Sequence, residues 1–144
     1  MRRASVIVAT WVALLVGSGI GMAAGPTSEG VGTVVTAPGG TYRQIGPAAL
    51  KTMLARKDFA FVNVHVPYEG EIAETDAHVP YDQVAQQITR LPADRNAKIV
   101  LYCRTGHMSR IAAETLVRLG YTDVWDLVGG FEGWKRAGFP LVSR

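Results

Sequence analysis

Cys103 is the one cysteine among 144 residues, and it stands where an apolar run gives way to a turn. The run is Lys98-Ile99-Val100-Leu101-Tyr102. The turn is Cys103-Arg104-Thr105-Gly106-His107-Met108, and Ser109 to Glu114 reads as the start of a helix. A strand, a tight loop and a helix N-terminus aim backbone N–H groups and the positive end of the helix dipole at the sulfur. Such surroundings favour thiolate over thiol and make the cysteine a nucleophile or an anion-site sulfur. The plain alternative is a buried, inert cysteine. Arg104, His107 and Arg110 crowd the position and Gly106 frees the backbone to curl, which favours chemistry. Metal chemistry has little support, because His65, His78 and His107 are scattered without ligand spacing. No cofactor is expected.

The elements that must hold this loop follow from apolar patterning. Tyr42 to Ile45 reads as a short strand. Gly46-Pro47 opens a helix whose apolar face is Leu50, Met53 and Leu54. Phe59 to Val64 is a nearly all-apolar run, as in a strand buried on both faces of a parallel sheet. His65 to Pro80 reads as loop, with four acids at Glu69, Glu71, Glu74 and Asp76. Tyr81 to Leu91 is predicted helical on Val84, Ala85 and Ile88. Lys98 to Tyr102 is the next strand, Ser109 to Leu119 an amphipathic helix ended by Gly120, Val124 to Leu127 a strand, and Phe131 to Ala137 a last short helix. Alternating strands and helices imply a three-layer α/β domain with a mainly parallel sheet. Ligands of such sheets bind at the carboxyl ends of the strands, where Cys103 and His65 both fall.

The first residues suggest export. Met1-Arg2-Arg3 is basic, Ala4 to Ser28 carries no charge, and Val6 to Val16 is almost wholly apolar. Gly21 and Ala23 are small residues suited to cleavage after Ala23. Residues 1–24 are therefore expected to be a signal peptide, with an uncleaved membrane anchor as the alternative. Either places the chain in the periplasm or outside the cell, the anchor facing outward from the cytoplasmic membrane. Residues 25–40, rich in Gly, Pro, Thr and Ser, are expected to be a flexible linker, and 41–144 the working domain. Arg2 and Arg3 are two of the 15 Lys and Arg, so 13 basic side chains then face 12 acidic ones. With that balance and no basic-aromatic run, nucleic-acid binding is not expected.

From about Tyr42 to Val142 the chain resembles a single-domain rhodanese, a thiosulfate sulfurtransferase-like domain. Three segments carry the resemblance in order: Val62-Asn63-Val64-His65 with Pro67-Tyr68-Glu69; the loop Tyr102 to Ser109; and Leu127-Val128-Gly129-Gly130-Phe131-Glu132-Gly133-Trp134. The resemblance implies a five-stranded, mainly parallel sheet with helices on both faces. It implies that Cys103 takes sulfur from a small anionic donor such as thiosulfate as a persulfide. A nucleophilic acceptor such as cyanide, a thiol or a partner protein then removes that sulfur. Arg104 is expected to attract the donor or to face a carboxylate of the acidic loop. Thr105, Gly106, His107, Met108 and Ser109 complete the substrate loop, with His107 and Met108 at its rim and Ser109 capping the helix or bonding the sulfur. Gly129, Gly130 and Trp134 are expected to be structural.

Asn63 and His65 stand where the family usually carries aspartate and arginine, so both, with Arg110, are expected to shape electrostatics beside the site. Two rival functions remain. One is a slow sulfur carrier or binding module of the same fold. The other, less favoured, is phosphatase-type cysteine chemistry, which needs an arginine after five intervening residues. Ser109 occupies that place and Arg110 comes one position late.

Overall fold

The computed structural model describes residues 31–143. Its centre is built from the strands whose sequences are most continuously apolar. These are β3 (Ala60–Asn63), β5 (Ile99–Tyr102) and β6 (Val124–Leu127). Their register is parallel throughout, with Phe61 beside Val100 and Val100 beside Trp125. Parallel strands need crossovers, and the crossover elements cover both faces.

Alternation along each strand sorts the core into two layers. On one face Val62, Ile99, Leu101, Cys103 and Val124 pack under Ala112, Leu116 and Val117 of helix α2 (His107–Arg118). On the other, Phe61, Val100, Tyr102, Trp125 and Leu127 pack with Leu50 of α1 (Pro47–Leu54) and with Phe131 and Trp134 of α3 (Gly130–Arg136). Leu50 has no exposed surface. Burying such a side chain contributes about 1.5–3 kcal/mol. The expected three-layer α/β architecture is therefore the observed one.

The edges differ from expectation. The sheet has six strands rather than five, in the order β1-β2-β6-β5-β3-β4. The first, β1 (Thr33–Ala37), pairs antiparallel with β2 (Gly40–Ile45) through a hairpin. Part of the expected linker is thus an ordered edge strand. Its Val-rich core, Val34-Val35, is hidden in the sequence by the flanking Gly, Pro and Thr. At the opposite edge β4 (Ala77–His78) makes two pairings with β3, inside the expected loop. The helix predicted over Tyr81–Leu91 is instead two 3-10 turns, Tyr81–Gln83 and Ile88–Arg90. Of its three apolar positions only Val84 is buried, and Ala85 is exposed, so no continuous face rewards a longer helix. The signal or anchor segment expected over 1–24 lies outside the described residues. Among the described residues no helix is long and apolar enough to cross a membrane.

The acidic loop is tied to the core at the residue before Cys103. The phenol oxygen of Tyr102, fully buried, accepts the Ile72 N–H at 3.0 Å and lies 2.7 Å from Thr75 Oγ1. Burial pushes its proton affinity well up. Tyr102→Phe leaves the Ile72 N–H buried without its acceptor and is expected to destabilise the fold by about 1–3 kcal/mol. Urea unfolding checks this, as a lower midpoint at unchanged slope.

Candidate active site

The site begins where β5 ends. Cys103 follows Tyr102 directly and is 1% exposed. Three residues on, Gly106 takes φ +102, a left-handed value that a side chain resists, and its N–H donates to Cys103 Sγ at 3.0 Å. Helix α2 starts at His107 with no side-chain cap, two residues earlier than the apolar pattern predicts. The N–H groups of its first turn are therefore left to the loop and whatever it holds.

The loop is gripped from outside by α3. The Phe131 N–H donates to the Cys103 carbonyl at 2.9 Å and the Glu132 N–H to that of Arg104 at 3.0 Å. Such closeness requires Gly130, whose φ is +56. A Cβ there would lie 2.4 Å from the Cys103 carbonyl oxygen and 2.5 Å from the Arg104 carbonyl. The Gly-Gly turn is structural, as expected, but what it shapes is the backbone of the nucleophile itself.

The loop side chains divide. Arg104 projects outward, half exposed, and faces two carboxylates: Nη1 is 3.5 Å from Glu69 Oε2 and Nε 3.5 Å from Glu132 Oε1. Of the two roles expected for Arg104, the contact with the acidic loop is realised. Glu132 also pairs with Lys135 at 3.0 Å, and that hydrogen bond holds its carboxyl below the usual range. Thr105 and His107 are exposed and, with Gly106 and Arg110, line a cleft of about 220 Å³ beside the loop. Met108 is half-buried against the α2-side core rather than at the rim. Ser109 is fully buried, and its hydroxyl donates to Asp126 Oδ1 at 2.5 Å rather than to the sulfur. No side-chain cap is formed by it either.

Asn63 and His65 lie on the neighbouring strand end. Asn63, fully buried, accepts the His65 N–H on Oδ1 at 3.0 Å and donates from Nδ2 to the Gly70 carbonyl at 3.1 Å. A carboxylate would have no proton for Gly70, so the amide suits this turn. His65 Nε2 lies 2.7 Å from Glu69 Oε2, and its ring stands edge-on to Phe131 at 5.5 Å. Its Nδ1 is buried with no partner. The tautomer that fits carries its proton on Nε2 and donates to Glu69. Glu69 thereby links His65 to Arg104.

Two polar residues of the site, Asp126 and Gln44, carry no role in the sequence reading. Asp126 of β6 is 1% exposed and also accepts Gln44 Nε2 on Oδ2 at 3.3 Å. Burial pushes its proton affinity up, opposed by the Ser109 and Gln44 hydrogen bonds and by Arg110. An acid inside the apolar run Val124-Trp125-Asp126-Leu127 was the available signal. Arg110 lines the Asp126 cleft on the flank of α2. Among the described residues no cluster of His, Cys, Asp and Glu has the makings of a metal site.

The fold agrees with known proteins. The rhodanese-like domain model matches residues 47–137, and this chain belongs to that family. A sulfurtransferase of Allochromatium vinosum is 33% identical over 105 residues, covering 69% of this chain and 94% of that protein. A thiosulfate sulfurtransferase GlpE of Coxiella burnetii is 28% identical over 96 residues, covering 65% and 88%. Among solved structures, a rhodanese-related protein of Thermoplasma volcanium superposes with a TM-score of 0.62 at 29% identity. That match covers 72% of this chain and all of the other. These relatives make sulfur transfer the general activity of the group.

Gly130→Ala is expected to destabilise the protein by about 2–4 kcal/mol, from left-handed strain together with overpacking against the Cys103 carbonyl. Thermal unfolding checks the loss. Faster alkylation of Cys103 below the transition would show the loop released first.

Proposed function

We propose that this chain is an exported sulfurtransferase whose nucleophile is Cys103. The observation that carries the reading is the Gly106 N–H donated to Sγ at the joint between β5 and the uncapped start of α2. A thiolate there is held by backbone donors, and so is the persulfide that replaces it. Thiosulfate is the proposed donor, supported by the relative from Coxiella burnetii that is named for it. The Cys103 thiolate attacks the outer sulfur of thiosulfate. A new S–S bond forms to Sγ, the S–S bond of the donor breaks, and its electron pair leaves with sulfite. A nucleophilic acceptor, cyanide or a thiolate, then bonds to the terminal sulfur and returns the electron pair to Sγ. Arg104 provides the approach charge for the anionic donor.

One observation favours a second reading, a slow sulfur carrier serving a partner protein. Glu69 and Glu132 both face Arg104, and each competes with an anionic donor for the guanidinium. Phosphatase chemistry is disfavoured by Ser109, whose hydroxyl is engaged by Asp126 at the place where an oxyanion-clamping arginine would stand.

The test is intact mass of the protein before and after thiosulfate. A gain of about 32 Da in the native protein, absent in Cys103→Ser and removed by cyanide, is the expected result. No gain would reject thiosulfate as donor. Slow turnover with a stable adduct would select the carrier. Export rests on the basic and apolar pattern of residues 1–24. N-terminal sequencing of the exported protein is expected to begin at Ala24; an intact Met1 in the membrane fraction would select the anchor.

A further inference from the structure

Asp126 is a buried acid in a sheet whose other central positions, Asn63 apart, are apolar. On β6 it stands level with Leu101 of β5 and Gln44 of β2. Its strand neighbours Trp125 and Leu127 belong to the opposite core layer. A carboxyl group in such a place is costly unless its oxygens are hydrogen-bonded, and apolar residues of similar volume commonly serve stability as well. Both oxygens are bonded here, one to Gln44 and one, at 2.5 Å, to Ser109. The charged and titratable groups that face it are Arg110 of α2 and Tyr42 of β2, with His107 across the cleft.

What distinguishes the Ser109 bond is where it attaches. Ser109 lies in the first turn of α2, three residues past Gly106. Its Oγ is also 3.3 Å from the Gly106 carbonyl, which accepts the Arg110 N–H at 3.3 Å. Gly106 is the residue that presents its N–H to Cys103 Sγ. Asp126 therefore ties the sheet to the turn that aims this donor. A hydroxyl has one proton, and the short contact commits it to Asp126. The sulfur is left to backbone N–H groups, whose strength falls steeply with distance and angle.

We propose that Asp126 is a positioning residue for sulfur transfer: by holding Ser109 it fixes the first turn of α2, and with it the Gly106 N–H on Cys103 Sγ. This rests on the sulfurtransferase reading for its activity readout, but not for its geometric one.

The experiment compares Ser109→Ala, Asp126→Ala, the double variant and Asp126→Asn in the full chain, each confirmed folded by circular dichroism. The first readout is the pH midpoint of Cys103 alkylation by iodoacetamide, which needs no sulfur donor. Ser109→Ala is expected to raise it by about half a unit or more as the donor to the thiolate loosens. The second is single-turnover sulfur uptake from thiosulfate. Ser109→Ala and Asp126→Ala are each expected to slow it about tenfold, and the double variant no further, because one bond is lost in all three. Asp126→Asn is expected to rescue the rate, since a carboxamide accepts Gln44 and donates to the Ser109 oxygen. A native alkylation midpoint in Ser109→Ala, multiplying losses in the double variant, or an Asn variant as slow as the Ala variant would each overturn the proposal. Should Asp126→Ala not fold, Ser109→Ala and Asp126→Asn decide it. If the native protein takes no sulfur from thiosulfate, the donor assignment fails, and the alkylation series still decides the anchor.

Discussion

Two hydrogen bonds from the start of α3 to the carbonyls of Cys103 and Arg104 hold the site together. They fix the backbone on the outer side of the loop. The Ser109–Asp126 bond fixes it on the inner side, through α2. Between them the chain must curl within a few residues, and it does so through the left-handed Gly106. The sulfur meets an N–H because its loop is clamped from both flanks, not because any one side chain reaches for it. Space for the outer clamp exists only because residue 130 lacks a side chain.

Charge around the site is arranged in a short chain: His65 to Glu69, Glu69 to Arg104, Arg104 to Glu132, Glu132 to Lys135. Most of these contacts are exposed, and such pairs individually contribute little to stability. Their effect lies in what a small anion meets on approach. The guanidinium is flanked by acids that are themselves anchored by other partners. Asn63 adds no charge to this chain; its neutral amide serves as a brace between strand and loop.

Much of this was legible in the residues. Strands buried on both faces announce themselves as apolar runs; β5 does so without a break, β3 but for Asn63 and β6 but for Asp126. The loop from Cys103 and the Gly-Gly turn before Trp134 were readable as motifs. The six-strand count was not, because β1 is a half-exposed edge strand framed by turn formers, and edge strands need no apolar alternation. The segment from Tyr81 to Leu91 misled because three apolar residues at helical spacing bury only one side chain. Asp126 went unassigned because a single acid in a strand looks like an edge or a strand end. Only register places it opposite Leu101 and beneath Ser109.

The outer clamp has a consequence for the life of the chain before folding finishes. The residues that grip Cys103 come after it in sequence, on the helix that follows β6, the strand paired with both β5 and β2. Parallel pairings of this kind join distant segments and form late. Until then Cys103 lacks both clamps, and no Gly106 N–H is held on its sulfur. An unfinished chain therefore carries the cysteine without its anion-holding loop, and that loop takes shape together with the structure that buries the sulfur.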